Sequence, residues 1–282
     1  MTHAQRVLVT GAAGYIGRHV VTALLEQGAE VTATTRPGSR RTIDPRATVV
    51  TLDLLHPDTN LQPLLDEKFD VVVHLAWEAG FAHNSRLHML RLSDHFRVLS
   101  AFADSGVTRL AVLGTMHEIG RHEGIITADT KCDPLSLYGI AKDALRRSVF
   151  TELEQHATIQ WLRAFYIYGD DRNNQSVFTK LLEAADAGKT SFPFTSGKAK
   201  FDFIHVAELG RQIATVALQD EVRGIINVCS GTATALGEKI EEFIHDNALD
   251  ISLDYGKFPD RPYDSKIVYG DNSEISALMA AQ

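Results

Sequence analysis

The sequence has few cysteines, no excess of basic residues and no long apolar run, and each shortage excludes a class of protein. Cys132 and Cys229 are too few for a disulfide framework or a four-ligand zinc site. The formal net charge, from 28 Lys and Arg against 36 Asp and Glu, is −8, which argues against a general nucleic-acid binder. No apolar run approaches the roughly 20 residues of a membrane span. Since the strand-like Val7–Val9 leaves no room for a secretory signal, we expect a cytoplasmic protein with no membrane partner.

What the sequence does contain is an alternation of β-branched runs and amphipathic stretches. Its 282 residues are 44% apolar and 23% charged, which suits two domains or one large α/β unit. The predicted strands are Arg6–Thr10, Glu30–Thr35, Thr48–Leu52, Val71–Leu75, Arg109–Leu113 and Thr158–Arg163. The predicted helices are a first stretch that ends near Gln27, then Arg86–Ser105, Leu137–Gln155, Val206–Leu218 and Leu236–Asn247.

This alternation predicts an α/β fold of the Rossmann-like, doubly wound type, in which helices cover both faces of a parallel sheet. After about Ala164 the rhythm loosens into loops rich in Gly, Pro, Ser and aromatic residues. We therefore predict a dinucleotide-binding domain over residues 1–165, to which the segment 201–228 returns. Residues 166–282 are predicted to form mainly a smaller, less regular substrate-binding lobe.

A glycine-rich motif, Thr10–Gly17 (TGAAGYIG), lies between the first predicted strand and the first predicted helix. Gly11 suits a tight turn, Gly14 a close approach of backbone to a pyrophosphate, and Gly17 close packing of helix on sheet. The backbone N–H groups at the helix start, including those of Tyr15 and Ile16, favour a phosphate. Glycines also mark ordinary turns, but the strand–turn–helix context favours a dinucleotide.

The end of the second predicted strand indicates which dinucleotide. An NAD site places a carboxylate there for the ribose 2′-hydroxyl, whereas this chain has Thr35–Arg41 (TRPGSRR) and no carboxylate before Asp44. Arg36 can form a charged fork with a 2′-phosphate, and Ser39 or Arg40 can add donors. The sequence thus predicts NADP(H), and the alternative is a basic surface loop.

Two further strand ends supply candidate cofactor contacts. Asp53 and Leu54 follow the third strand, where the carboxylate either meets the adenine or serves as a cap or turn residue. The fourth strand ends in Leu75–Trp77, whose small residues let the backbone pass along the cofactor. His74 just before them is better explained as a half-buried, hydrogen-bonded histidine than as a catalyst.

Tyr138 and Lys142 carry the predicted chemistry. Four residues apart on a helix, they share one face, and a nearby ammonium would lower the pKa of the phenol and make it a proton donor or acceptor. Thr115, at the end of the fifth predicted strand, places a hydroxyl where it can hold a substrate oxygen. Such Tyr–Lys spacing is common by chance in solvated pairs, so the inference depends on its combination with the glycine motif.

Taken together, these motifs resemble the extended short-chain dehydrogenase/reductases that act on nucleotide-linked sugars. The resemblance covers nearly the whole chain and includes Phe203–Val206 (FIHV). It implies that Thr115, Tyr138 and Lys142 form the catalytic triad and that the C-terminal lobe binds a nucleotide-diphosphate sugar. It also implies that Arg261 contacts the substrate diphosphate. The helices at Arg86–Ser105 and Leu137–Gln155 would form the four-helix bundle of a homodimer.

Departures from the family pattern narrow the expected chemistry. Sugar 4,6-dehydratases follow the catalytic Thr with Asp-Glu, but Met116 and His117 stand there, so dehydration lacks its carboxylates. Tyr166 replaces an asparagine that contacts the diphosphate in the family. The surrounding segments look most like 4-ketoreductases of nucleotide-linked 4-keto-6-deoxysugars that use NADPH. A nucleotide-sugar 4-epimerase and a non-catalytic NADP-binding protein are the alternatives.

The remaining candidate residues are expected on the substrate side. Trp77, Glu78 and His117 either line the substrate near the nicotinamide or simply pack. Gln175, Ser176 and Lys180 are candidates for contacts to the nucleotide or its phosphates. No pair among the twelve histidines has the spacing of a metal site, so we predict no metal.

Overall fold

The computed structural model describes residues 4–169, 171–172, 174–260 and 265–281. Its strands, in chain order, are β1 Arg6–Thr10, β2 Glu30–Thr35, β3 Thr48–Thr51, β4 Val71–His74, β5 Arg109–Thr115, β6 Gly124–Ile126, β7 Thr158–Ala164, β8 Tyr166–Tyr168, β9 Ser191–Pro193, β10 Lys200–His205, β11 Gly224–Val228, β12 Ala233–Ala235, β13 Ser252–Asp254 and β14 Ile267–Gly270. Its helices are α1 Tyr15–Glu26, α2 Gln62–Leu65, α3 Leu87–Leu90, α4 Leu92–Asp104, α5 Leu137–Leu153, α6 Val177–Asp186, α7 Val206–Ala217, α8 Leu236–Asp246 and α9 Ser273–Ala280.

The central sheet is parallel throughout. Within the described residues it has seven strands in the order β11-β7-β5-β4-β1-β2-β3. The chain therefore adds β2 and β3 on one side of β1 and then β4, β5, β7 and β11 on the other side. Buried apolar residues form one cluster on each face, one around α1 and α7 and the other around α4 and α5. Such burial on both faces explains the continuous apolar runs of β1 and β4. The predicted Rossmann-like, doubly wound α/β fold is confirmed.

The helix predicted at Arg86–Ser105 is divided in two. At Arg91 the backbone has φ −96° and ψ −3°, outside the ideal helical region, so α3 ends there and α4 begins one residue later. The other predicted elements agree with the structure to within about two residues, as expected for frayed ends.

A second sheet builds the C-terminal lobe. It has the order β12-β10-β14-β6, with β8 also paired to β10, and a third cluster of buried apolar residues lies beside it. Strand β10, at the start of the segment 201–228 that was predicted to return to the first domain, lies in this second sheet. Helix α7 and strand β11 of the segment 201–228 join the central layer, and Ile204 of β10 and Ile275 of α9 pack in the same apolar cluster.

Helices α1 and α7 cross closely enough to require a glycine. A Cβ on Gly210 would lie 2.8 Å from the backbone carbonyl carbon of His19. We expect Gly210→Ala to lower the free energy of unfolding by about 1–3 kcal/mol, because α1 and α7 must move apart. Urea denaturation measures this change. Ser148→Ala, on an exposed part of α5, is the control and should change stability by less than about 0.5 kcal/mol. An unaltered Gly210→Ala midpoint would show that the helices adjust without cost.

Candidate active site

A glycine-rich turn joins β1 to α1 and lies against the end of β4. Gly11 has φ +70°, and a Cβ there would lie 2.7 Å from the Ala76 nitrogen, so neither the conformation nor the space admits a side chain. A Cβ on Gly17 would lie 2.2 Å from the Gly11 oxygen, and one on Gly14 2.9 Å from the same atom. The predicted glycines thus form a cradle of bare backbone.

Helix α1 begins directly at this cradle. Gly14 is its N-cap residue and offers no side-chain cap. The N–H groups of Tyr15, Ile16 and Gly17 belong to the first turn and precede the bond from Arg18 N to Gly14 O. N–H groups in this position, together with the helix dipole, favour an anion such as a pyrophosphate.

Hydrogen bonds clamp the end of β4 onto β1. The Thr10 hydroxyl lies 2.9 Å from His74 Nδ1 and accepts a bond from the Ala76 N–H at 3.3 Å, while the Leu75 N–H donates to the Thr10 carbonyl at 3.2 Å. Burial, with a contribution from Lys142, lowers the pKa of His74 to about 3, so the ring is neutral at pH 7. His74 therefore has the structural position that the sequence favoured, and it holds Leu75 and Ala76 beside the cradle.

The end of β2 brings together two residues that the sequence assigned to different ligands. Arg36 Nη1 lies 2.7 Å from Glu78 Oε1, and Glu78 Oε2 lies 3.3 Å from Arg91 Nε. Glu78, predicted on the substrate side, thus forms an ion pair with the arginine predicted to bind the 2′-phosphate. Ser39 and Arg40 lie in the exposed turn that follows Arg36.

Two other residues near this edge have local roles in the structure. The Asp53 carbonyl accepts bonds from His56 N at 3.1 Å and Thr59 Oγ1 at 2.5 Å, so Asp53 begins a turn. Leu54 is buried in the core. The Thr35 hydroxyl, at the last position of β2, is buried and has no hydrogen-bond partner within the described part of the chain.

The three residues of the predicted triad meet at the carboxyl end of β5. The side chain of Tyr138, near the start of α5, lies beside Thr115, the last residue of β5, and the Thr115 side chain acts to lower the pKa of the phenol. Lys142, one turn further along α5, donates to the Leu113 carbonyl at 2.6 Å, and its Nζ lies 3.9 Å from the centre of the Trp77 ring.

The start of α5 explains why this approach is possible. Ser136 caps the helix by accepting a bond from the Gly139 N–H at 3.2 Å. A Cβ on Gly139 would lie 2.3 Å from the His117 carbonyl oxygen, so only glycine lets α5 begin against the turn that follows Thr115. Gly139 therefore allows Tyr138 to reach Thr115.

Burial sets the proton states of the two α5 residues. It raises the pKa of Tyr138 well above its usual range, with the Thr115 hydrogen bond opposing this and Glu118 adding to it. Burial lowers the pKa of Lys142 to about 7, and Glu118 opposes that shift. The sequence expectation that the Lys142 ammonium lowers the pKa of Tyr138 is therefore not met, because desolvation of the phenol dominates.

Aromatic and histidine rings enclose Tyr138. Its ring stacks on His83, with centroids 5.3 Å apart, and meets Trp77 edge to face at 6.0 Å. Trp77 Nε1–H donates to His88 Nδ1 at 3.0 Å, and the Trp77 ring stacks on His95 at 4.3 Å. The Trp77 ring thus contacts both Tyr138 and Lys142, and its backbone follows Ala76 at the cradle.

On the other side of Tyr138 the site opens toward the C-terminal lobe. His117 lies 4.4 Å from His83 and 6.5 Å from Tyr166 between ring centroids. Burial lowers the pKa of His117 to about 4, and His83 adds to this shift, so His117 is neutral at pH 7. Tyr166 in turn packs on Phe201 at 4.4 Å. The predicted substrate residues His117 and Tyr166 therefore border the triad.

The other predicted substrate residues are not brought to the triad by any contact in the described structure. Ser176 caps α6 by accepting a bond from the Thr179 N–H at 3.2 Å, and Gln175 and Lys180 are exposed. Arg261 lies outside the described residues.

Sequence reasoning missed a buried acidic residue directly beneath Thr115. Glu118 is 0% exposed, and its carboxylate accepts a bond from the Thr115 N–H at 2.7 Å. It also accepts from Trp161 Nε1 at 3.0 Å and lies 3.6 Å from Arg163 Nε. A glutamate three positions after a threonine that ends a predicted strand is the capping-box signal that could have found it.

Two searches of the described residues found nothing. No cluster of three or more His, Cys, Asp or Glu side chains there could hold a metal ion. No helix in the same residues is long and apolar enough to cross a membrane.

Comparisons with known proteins agree with this geometry. Residues 7–229 match the model of the NAD dependent epimerase/dehydratase family. The chain is 39% identical over 272 residues to a dTDP-6-deoxy-L-talose 4-dehydrogenase (NAD(+)) from Aggregatibacter actinomycetemcomitans, covering 94% of this chain and 98% of the relative. It is 27% identical to a dTDP-6-deoxy-L-talose 4-dehydrogenase (NAD(P)(+)) from Kitasatospora kifunensis, covering 92% and 84%.

The fold also matches solved structures. A UDP-N-acetylglucosamine 4-epimerase from Methanobrevibacter ruminantium, in complex with UDP-N-acetylmuramic acid, superposes with a TM-score of 0.83. The match covers 98% of this chain and 92% of that one at 22% identity.

The lowered pKa of Lys142 predicts a pH-dependent stability difference. Since the folded pKa, about 7, lies below the unfolded value, the unfolded chain binds more protons between about pH 7 and pH 10.5, and stability rises with pH there. The buried ammonium therefore costs most below pH 7. We expect Lys142→Met to raise Tm by about 2–6 °C at pH 6.5 and by less at pH 9.5.

Thermal unfolding at the two pH values measures this difference. Lys189→Met, at an exposed position, is the control and should shift Tm equally little at both. A Lys142→Met shift that does not depend on pH would contradict the assigned titration.

Proposed function

We propose that this chain, which belongs to the NAD-dependent epimerase/dehydratase family, is a sugar-nucleotide oxidoreductase that acts at C4. Specifically, it reduces the C4 keto group of a nucleotide-diphospho-4-keto-6-deoxyhexose with NADPH. The observation that carries the proposal is the position of Tyr138 beside Thr115, with Lys142 one turn further along α5, next to a backbone cradle fit for a dinucleotide.

The residues present fit a dinucleotide. Gly11, Gly14 and Gly17 leave backbone where any Cβ would collide, and the first turn of α1 offers N–H groups for the pyrophosphate. The buried, unpartnered hydroxyl of Thr35 and the guanidinium of Arg36 stand where the adenine ribose is recognised. When bound, the nicotinamide supplies the hydride, and the protein supplies position and protons.

The triad residues have distinct roles in this proposal. Tyr138 gives its proton to the oxygen that forms at C4, and its raised pKa keeps that proton on the phenol until the oxygen becomes basic. Thr115, beside Tyr138, orients the same substrate oxygen. Lys142 binds the nicotinamide ribose through its ammonium group, which the Leu113 carbonyl and the Trp77 ring hold in place.

The substrate class follows from what surrounds the triad. Met116 is buried, and His117 is neutral, so neither can replace the Asp-Glu acid and base of a dehydratase. The two dehydrogenases named above interconvert a hydroxyl and a ketone by name, and the same chemistry run in reverse is a 4-ketoreduction. His117 and Tyr166 would face the sugar. We keep Gln175, Ser176, Lys180 and Arg261 as predictions for the nucleotide end.

A homodimer remains part of the proposal. Leu87 and Leu90 of α3 and Ile140 of α5 are large apolar side chains on the surface, at 43%, 70% and 39% exposure. A second copy that packs its α4 and α5 against these helices would cover them, as the predicted four-helix bundle requires.

Removing the Tyr138 hydroxyl tests the catalytic assignment. We expect Tyr138→Phe to lower kcat for reduction by about 10²–10⁴-fold, because the ring packing stays and only the proton donor is lost. Dinucleotide affinity, measured by fluorescence titration, should change little. Turnover close to that of the unaltered protein would exclude the role. An enzyme that is purified with tightly bound NAD and needs no added NADPH would be an epimerase instead.

Arg36 and Glu78 test the choice of dinucleotide by direct binding. Arg36→Ala should weaken NADPH binding by about tenfold, the lower end expected for a charged hydrogen bond, because Arg36 is exposed and already paired. Glu78→Gln should strengthen NADPH binding by about threefold, since Glu78 competes with the phosphate for Arg36.

NADH is the internal control for both variants, and its affinity should change by less than about twofold. Equal changes for the two dinucleotides would show that this loop does not recognise a 2′-phosphate.

A further inference from the structure

Glu118 occupies a position that the proposed reaction does not use. The carboxylate is fully buried, and it lies against the backbone of the residue that carries the Thr115 hydroxyl. Its acceptor bonds come from the Thr115 N–H at 2.7 Å and from Trp161 Nε1, which lies 3.0 Å from one carboxylate oxygen and 3.1 Å from the other.

The contact is too close to be incidental packing. Gly114, the residue before Thr115, has no room for a side chain, because a Cβ there would lie 2.1 Å from Trp161 Nε1 and 2.8 Å from Glu118 Oε1. The end of β5 is therefore pressed directly onto the Trp161–Glu118 hydrogen bond. A displacement of the carboxylate would move the backbone of Thr115 with it.

A reciprocal pair of hydrogen bonds fixes both the backbone and the side chain of Thr115. Glu118 accepts from the Thr115 N–H, while the Thr115 Oγ1 accepts from the His117 N–H at 3.3 Å. This capping box holds both the backbone and the side chain of Thr115 at the end of β5, beside Tyr138.

Positive groups on two neighbouring elements stabilise the buried charge. Arg163 Nε of β7 lies 3.6 Å from Glu118 Oε2, and Arg146 Nε of α5 lies 3.9 Å from the same atom. Burial raises the pKa of Glu118, while Arg163 and the bonds from Thr115 and Trp161 oppose this shift. Burying a carboxylate costs desolvation free energy even when it has this many partners. The backbone that this buried carboxylate holds is that of Thr115.

We propose that Glu118 is a positioning residue that acts through Thr115, holding its hydroxyl for the bond to Tyr138 and to the substrate oxygen. The inference rests on the proposed function, because it assigns Glu118 a part in the same proton transfer. A misplacement of a catalytic group by about 1 Å costs on the order of 10²-fold in rate, so the effect is measurable in kcat.

A double-mutant cycle with Thr115→Ala tests the proposal. Glu118→Gln should lower kcat by about 10- to 100-fold and leave KM and the dissociation constant of the dinucleotide within about threefold. In the Thr115→Ala background the same change should alter kcat by less than about twofold, because the group that Glu118 positions is gone. Equal effects in both backgrounds would overturn the proposal and leave Glu118 a purely structural residue.

Two further variants keep the test decisive. If Glu118→Gln does not fold, Glu118→Asp keeps the charge near Arg163 but withdraws the carboxylate from the Thr115 N–H, and it enters the same cycle. Asp143→Asn is the matched control. Asp143 is a nearly buried carboxylate that pairs with Arg146 at 2.6 Å and has no bond to Thr115. Its substitution should leave kcat within about threefold.

The outcome for Thr115→Ala alone separates the two levels of the argument. A normal kcat for this variant would refute the proposed role of Thr115 and, with it, that of Glu118, whereas the proposed function itself fails if the unaltered protein does not reduce a nucleotide-linked 4-keto-6-deoxyhexose. A low kcat for Thr115→Ala together with additive effects of Glu118→Gln would refute only the role of Glu118.

Discussion

The contact between Gly11 and the end of β4 is the constraint on which the rest of the site depends. It brings the backbone of Leu75 and Ala76 beside the glycine cradle, and the bonds from Thr10 to His74 hold it there. Because Trp77 follows Ala76 immediately, the same hydrogen bonds also fix the position of the Trp77 ring against Tyr138 and Lys142.

A series of buried rings connects the end of β4 to Lys142. His74 Nε2 lies 3.0 Å from His95 Nδ1, His95 stacks on Trp77, and the Trp77 ring supports the Lys142 ammonium. Burial lowers the pKa values of His74 and His95, and the nearby Lys142 adds to both shifts, so the rings remain neutral and pass no charge to the site. Their role is to keep Trp77 and Lys142 in one geometry before any ligand arrives.

The sequence predicted what depends on local pattern and missed what depends on contact across the fold. The β-branched runs and the glycine motif identified the central strands and the cradle, because a parallel strand and a tight turn impose their own composition. The spacing of Tyr138 and Lys142 placed both on one face of α5, but the pKa direction of the phenol depends on burial that no spacing encodes. The ion pair of Glu78 with Arg36 was not foreseen, because Arg36 lies 42 residues earlier in the chain. Glu118 was overlooked because the capping-box spacing of Thr115 and Glu118, although visible in the sequence, does not show that the carboxylate is buried.

These two carboxylates show why environment decides what an acidic residue can do. Glu78 and Arg36 form a pair that reaches solvent, where ions and water screen the interaction, so it can open for a phosphate at little cost. Glu118 has no access to solvent, and Arg163 at its side is equally buried, so that pair cannot exchange partners without leaving a charge uncompensated. An adjustable pair suits the recognition of a ligand that comes and goes, whereas a fixed one suits a hydroxyl that must stand in one place through every turnover. The chain therefore has its exchangeable ion pair at the end of β2 and its permanent one beneath Thr115.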